Sequence, residues 1–338
     1  MLKIGNLKLK SNLILAPMAG ISDLPFRMLN REFGAELSFV EMINCRSISH
    51  KSRRTQAMLT SGIGDRPLGV QLLGCEEKFI LRALDVLRGY NFDILDFNSA
   101  CPAKKVIRRG EGCSLMREPK KFARILKLIV KNSSWPVTVK IRSGWDKGLV
   151  NAREVALSAQ DCGVSALFIH GRTKIQGYSG GVDYSVIKKV KKALKIPVIA
   201  SGDVLSAPLA KKMFDETGCD GLSIARGSLG NPWIFKQIKE YLNKDKASCS
   251  PPVNTVVNIM VKHLNASVNF YGEKSGVVIF RKFFSWYTRG FRKVRPLREK
   301  SSRAKTLQDM LSIFGDALQR PGRTQNKQKS PESFGVFL

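Results

Sequence analysis

Acidic residues are scarce in this chain: 27 aspartates and glutamates stand against 57 lysines and arginines, a formal net charge of +30 over 338 residues. That imbalance exceeds what solubility requires, and a hydrophobic content of 43% is too high for a disordered basic tail, so a polyanionic partner is the first expectation. Histidine is rarer still, with three residues, and the seven cysteines (Cys45, Cys75, Cys101, Cys113, Cys162, Cys219 and Cys249) stand singly without a CxxC pair. This spacing argues against a metal site and against a disulfide framework. Apolar runs such as Leu13 to Ile21 fall well short of the roughly 18 residues that a membrane span needs, and the first residues carry no signal-peptide pattern. The reading is a cytoplasmic protein with no membrane segment and no metal, for which no protein partner is implied and a monomer is expected.

What is present is alternation. Eight β-like runs recur, at 13–18, 36–42, 68–74, 92–98, 136–142, 166–172, 196–203 and 221–227. Segments of helical periodicity separate them, for example Lys78 to Leu87 and Phe122 to Val130. Eight parallel units close naturally into a (β/α)8 TIM barrel. A doubly wound sheet would ask for a glycine fingerprint after its first strand, and "APMAGISD" is not one. The barrel is assigned to residues 1–245. "NKDKASCSPP" (243–252) reads as a linker, residues 251–318 as a basic all-helical domain, and 319–338 as a mobile tail.

Polar residues gather where the strands end. In "VTVKIR" the apolar Val137, Val139 and Ile141 share one face, which leaves Lys140 among the barrel-lining positions, where its cation suits an electron-rich cofactor that becomes anionic on reduction. The last two strands end in "SGD" (Ser201, Gly202, Asp203) and "ARG" (Ala225, Arg226, Gly227), the standard barrel position for a phosphate. His170, with Arg172 beside it, reads as a cofactor contact. One cysteine, Cys101, is delivered by a strand into a loop, in "NSACPAKKV"; Cys113, in "GEGCSLM", looks like part of a flexible loop. Residues 281–305 hold ten lysines and arginines against one glutamate, with aromatics interleaved. The aromatics read as bundle core and the basic excess as a nucleic-acid signal.

"APMAGISDLPFR", "VQLLG", "NSACPAKKV", "VTVKIRSGW", "IHGRT", "PVIASGD" and "GNPWIF", in this order, closely resemble the flavin-dependent tRNA dihydrouridine synthases, particularly their bacterial branch. The resemblance covers about residues 1–245 in detail. It implies FMN in the barrel mouth, lined by Pro17, Met18 and Ala19 and contacted by Gln71, Lys140 and His170, with Ser201, Gly202, Asp203, Ala225 and Arg226 around its phosphate. NADPH or NADH would be the electron donor, tRNA the partner and Cys101 the proton donor to the reduced base. Lys104 and Lys105 lie where an RNA backbone would need neutralising, although a solvated charge patch explains each equally well; Arg289, Arg292 and Arg295 are the tRNA-binding candidates of the helical domain. Three positions depart from the family pattern: Ser201 stands for the usual Asn, and Ala225 and Ala100 for Gly. Two other readings are a flavin barrel acting on a free small molecule and a nonenzymatic RNA-binding protein on a decayed barrel.

Overall fold

In the computed structural model, which describes residues 1–50, 52–244 and 250–319, the alternating runs become short parallel strands. The strands are β1 (Leu2–Ile4), β2 (Leu7–Leu9), β3 (Leu13–Leu15), β4 (Leu37–Phe39), β5 (Ile43–Asn44), β6 (Leu68–Leu73), β7 (Ile94–Ser99), β8 (Val137–Arg142), β9 (Ala166–His170), β10 (Val198–Ser201) and β11 (Gly221–Ile224). Pairing runs β4-β3-β11-β10-β9-β8-β7-β6, and a β4–β6 ladder closes the ring, so the eight-stranded parallel barrel expected from the alternation is present. β5 continues β4 along β6 after a break at residues 40–42, so the second barrel strand is interrupted.

Side-chain alternation divides the core in two. Outward residues such as Val137, Val139, Ile141, Leu222 and Ile224 pack beneath the helices, whereas Ile14, Leu37, Phe39, Ile94, Phe168 and Ile199 fill the barrel interior. Gly69 has no side chain because a Cβ there would lie 2.3 Å from the Phe39 ring. The interior is sealed at the N-terminal ends of the strands by the antiparallel hairpin β1–β2, whose Leu2, Ile4 and Leu9 join the inner cluster. This leaves the C-terminal ends as the functional face.

The helices after the strands are α1 (Leu24–Glu32), α2 (Cys45–Ser49), α3 (Arg53–Met58), α4 (Glu77–Leu87), α5 (Lys104–Ile107), α6 (Pro119–Asn132), α7 (Ala152–Asp161), α8 (Tyr184–Ala193), α9 (Ala207–Thr217) and α10 (Ile234–Lys244). Of the sequence-predicted linker, Asn243 and Lys244 complete α10, while residues 245–249, Cys249 included, lie outside the described residues. So do residues 320–338 of the sequence-predicted tail.

The chain then forms a helical bundle of α11 (Val253–Tyr271), α12 (Glu273–Tyr287), α13 (Arg295–Arg303) and α14 (Leu307–Leu318). Gly276 permits close approach of α11 and α12, since a Cβ would sit 2.7 Å from the Ser267 carbonyl oxygen. Phe280, Phe283, Phe284 and Tyr287 are core residues, as the sequence suggested. The bundle docks on the barrel through Phe26 of α1, stacked 5.6 Å from Phe283, and through Gly230, whose missing side chain admits the backbone of Trp286 and Tyr287. No helix among the described residues is long and apolar enough to cross a membrane.

Candidate active site at the barrel mouth

A polar chain climbs the inside of the barrel to Cys101. Asp96 on β7 accepts from Thr138 Oγ1 on β8 and from Gln71 Nε2 on β6, both at 2.7 Å. Gln71 Oε1 accepts from Asn98 Nδ2 at 2.8 Å, and Asn98 Oδ1 accepts the backbone N–H groups of Ala100 (3.0 Å) and Cys101 (2.9 Å). Asn98 thereby satisfies two amides that the end of the strand would leave unpaired and fixes the turn that presents the thiol. Burial pushes the Asp96 carboxyl up to about 6.

The loop is clamped from both sides. Buried Arg142, at the end of β8, donates through Nε to the Ala100 carbonyl at 2.8 Å and through Nη1 to those of Thr173 (2.9 Å) and Gly177 (2.8 Å), tying the Cys101 loop to the loop after β9. On the other side the Cys113 N–H donates to the Cys101 carbonyl at 3.2 Å. Gly112, with φ +60°, lies so close that a Cβ would be 2.8 Å from that carbonyl oxygen. The "GEGCSLM" segment is therefore not a flexible loop: it is a 3-10 turn (Gly112–Arg117) packed under Cys101, with Cys113 fully buried. Gly112 serves close packing, and burial raises the Cys113 thiol to about 11. Cys101 is half-buried, and burial raises its thiol too.

Lys140 lies opposite Asn98 in the β7–β8 register, and its side chain makes no hydrogen bond or ion pair among the described residues. Burial lowers its ammonium while Asp96 opposes that shift. His170 faces the same space and is held well below the usual imidazole range, first by burial and then by Arg142, Lys140, Arg172 and Arg226, so it is neutral. Its Nε2 meets Arg172 Nη1 at 3.4 Å; because the guanidinium can only donate, Nε2 is the acceptor and Nδ1 carries the proton.

At the ends of β10 and β11 the structure departs from a simple phosphate cradle. Gly202, φ +118°, is required because a Cβ would meet the His170 ring at 2.8 Å, and Gly227 because one would meet the Val204 carbonyl oxygen at 2.0 Å. Packing within the protein, not close approach of a ligand, explains both. Asp203, itself at φ +50°, binds Arg172 and, at 2.6 Å, Arg226. It orients the cations. Arg172 is wholly buried and bonded to Ser179 and Gly180 carbonyls, so of the pair Arg226 is the more accessible. Ser201 spends its hydroxyl on the Ile169 carbonyl at 3.0 Å. Ala225 adopts φ −109°, and Ala100 is not among the residues with positive φ, so neither methyl group meets left-handed strain. Pro17, Met18 and Ala19 follow β3 on the same rim, half-buried, buried and exposed in turn.

Tyr178 was not legible in the sequence. Its ring lies 4.9 Å from the Arg226 guanidinium, 5.7 Å from that of Arg142 and 6.4 Å from the His170 ring, and nothing in "QGYSGG" marks it. Lys104 and Lys105 are exposed at the start of α5, directly after the Cys101 turn. The three arginines of the bundle do not form one patch. Arg292 and Arg295 point to solvent, Arg295 beside Glu299 at 3.3 Å, whereas Arg289 is half-buried at the seam, pushed down to about 10 by burial with Arg298 and Arg226 close by.

A family model described as dihydrouridine synthase (Dus) matches residues 14–321, thus both the barrel and the bundle. The chain is 41% identical over 291 residues to a probable tRNA-dihydrouridine synthase of Rickettsia bellii, covering 86% of this chain and 89% of that protein. It is 39% identical over 289 residues to the tRNA-dihydrouridine synthase B of Pasteurella multocida, covering 86% and 87%. Among solved structures, the 6-hydroxypseudooxynicotine amine oxidase of Pseudomonas geniculata is similar with a TM-score of 0.55 at 14% identity, over 82% of this chain. This chain spans about half the length of that one (54%), and the likeness is one of fold. With a match running through barrel and bundle alike, and relatives of this identity aligned over nearly their whole length, the chain belongs to the dihydrouridine synthase family.

Proposed function

We propose that this protein reduces the 5,6 double bond of uridines in tRNA to 5,6-dihydrouridine, with FMN in the barrel mouth, NADPH or NADH as the source of electrons and Cys101 as the proton donor. The observation that carries the reading is the hydrogen-bonded chain from Asp96 through Gln71 and Asn98 to the Cys101 amide, which fixes the turn carrying the thiol, with Lys140 near enough for the two groups to interact electrostatically. The family membership and the names of the relatives support tRNA as substrate, as does a net charge of +30.

The residues present fit FMN. Lys140 offers an ammonium group with no protein partner among the described residues, Ser223 on the inward face of β11 has a buried hydroxyl without a partner, and the partly exposed Arg226, paired with Asp203, would meet a phosphate. Pro17, Met18, Ala19, Gln71, Lys140 and His170 would hold the ring system, and Ser201, Gly202, Ala225 and Arg226 its phosphate end, with Asp203 orienting Arg226. When bound and reduced, FMN supplies a hydride to C6 of the base. Cys101 gives its proton to C5 and is left as a thiolate that solvent reprotonates. Burial raises the thiol and so keeps the donor protonated at neutral pH. The target base must leave its stack to reach this depth, and exposed Lys104 and Lys105 flank the rim where its backbone would pass.

The test is Cys101→Ala. FMN binding and flavin reduction by NADPH should stay near wild type, while reoxidation of the reduced flavin by tRNA slows by about 10²- to 10⁴-fold, the contribution of a positioned general acid. Cys162→Ala, at the C-terminal end of α7, is the control. Wild-type protein that forms no dihydrouridine in tRNA, or works equally well on free uridine, would refute the proposal.

A further inference from the structure

The segment that follows β3 does two things at once. Residues 17–19 follow β3 on the rim of the barrel mouth, and the next residue, Gly20, is held between two charged side chains from different parts of the molecule. Its N–H donates to the carboxylate of Glu41, in the break of the second barrel strand, and its carbonyl accepts from Nζ of Lys282 on α12 of the bundle. Three residues on, Asp23 caps α1 by accepting from the Phe26 N–H at 2.9 Å and also accepts from the Tyr271 hydroxyl of α11 at 3.0 Å.

Charge makes the arrangement more than a docking contact. Asp23 and Glu41 are two partly desolvated carboxylates, both raised by burial, and Asp23 raises Glu41 further. Hydrogen bonds act first to keep them ionised, from the Phe26 N–H and the Tyr271 hydroxyl to Asp23 and from the Gly20 N–H to Glu41; the cations that add to this are Lys282 and then Arg27, and Arg27 is committed to a buried pair with Asp65 at 2.7 Å. Lys282 is thus the counter-ion that the bundle brings to the barrel's first loop. The loop's internal ties converge on Met18: its N–H donates to Ser22 Oγ at 2.9 Å, and its carbonyl accepts from Ser22 Oγ at 3.2 Å and from the Ile21 and Ser22 N–H groups at 3.0 Å, while Gly20, at φ +68°, has an open flank with nothing within 4 Å of where a Cβ would be. A displacement of α12 is therefore felt at Gly20 and, through the Met18–Ser22 bonds, at the residues lining the mouth.

We propose that Lys282 is a positioning residue through which docking of RNA on the helical bundle sets the conformation of the mouth-lining segment 17–20. The inference rests on the proposed function. The bundle then has a second task beyond affinity: it reports occupancy to the reaction centre through one lysine and one peptide group.

The experiment compares wild type, Lys282→Met, Lys282→Arg and Lys262→Met in the full-length flavin-loaded protein. Lys262 is a second bundle cation that bridges to the barrel, pairing with Glu32 at 2.6 Å away from the mouth, and serves as the interface control. The first readout needs no turnover: the change in the visible flavin spectrum when tRNA is added to oxidised protein, read beside tRNA affinity. Wild type and Lys262→Met should show the change. Lys282→Met should lose it with tRNA affinity within about twofold of wild type, and its reoxidation by saturating tRNA should slow by roughly 10- to 100-fold, the scale of a displaced reaction geometry. Lys282→Arg should restore most of both. A Lys282→Met protein with an unchanged spectral response and rate overturns the inference, and so does a loss confined to tRNA affinity, which would make Lys282 a phosphate contact. If Lys282→Met fails to fold, a Lys282→Arg protein lacking the spectral response decides against the proposal, and one keeping it decides in favour. Failure of wild type to reduce tRNA is separate and counts against the proposed function instead.

Discussion

Barrel and bundle use charge in opposite ways. In the barrel mouth the polar groups from Thr138 and Asp96 through Gln71 and Asn98 to the Cys101 turn are buried and partnered in a chain, so each one determines the position of the next. In the bundle the interior is aromatic, with Phe280 to Phe314 at 5.8 Å and Phe284 parallel to Phe314 at 5.8 Å, and much of the positive charge lies outside. A buried chain acts as a unit, whereas exposed cations add their contributions and yield to salt. The site's chemistry thus depends on a few interdependent residues, and the affinity for a polyanion on many nearly independent ones.

The largest expected break in this contrast comes from Asn98→Ala. It strands two backbone amides and frees the Cys101 turn, so reoxidation of reduced flavin by tRNA should fall by about 10²-fold, and the melting temperature should drop as well because two buried donors go unmet. A rate within threefold of wild type would show that the Asn98 bonds are dispensable. Reversing charge at Arg292 and Arg295, both exposed, should by contrast leave flavin chemistry intact and reduce the salt-dependence slope of tRNA binding by about two. An unchanged slope would remove these arginines from the RNA surface.

The smallest effect sharpens the comparison within the bundle core. His263 is fully buried, its Nδ1 3.1 Å from the Tyr287 hydroxyl, and burial first, then Lys282, lowers it to about 3. A lowered imidazole is neutral in the fold but gains a proton on unfolding below its ordinary value near 6.5. Stability is therefore whole above that value and falls as pH drops towards 3, by about 1.4 kcal/mol per unit. Urea midpoints at pH 7 and pH 5 should converge in His263→Phe; an equal acid loss in that variant would place the sensitivity elsewhere.

The barrel was readable because each strand carries its own signal: apolar alternation ending in a polar residue, as in "VTVKIR". The hairpin β1–β2 also left a signal, alternating leucine, isoleucine and lysine around Gly-Asn, but strands of three residues are short enough to pass for an irregular lead-in. Cys113 was misread because glycine was taken for flexibility, when Gly112 is there to let two backbones touch. Arg27 with Asp65, and Arg142 with three carbonyls of two loops, could not be read at all. Their partners lie far away along the chain, and an arginine in sequence looks like surface until the fold buries it.

The hairpin beneath the barrel has a consequence for traffic. A vessel closed at the bottom is filled and emptied through the same opening, so on the proposed reading the nicotinamide and the flipped uridine would enter by one mouth and take turns there. The order of events is then imposed by a floor of three buried side chains, Leu2, Ile4 and Leu9, on the side of the molecule where no chemistry happens.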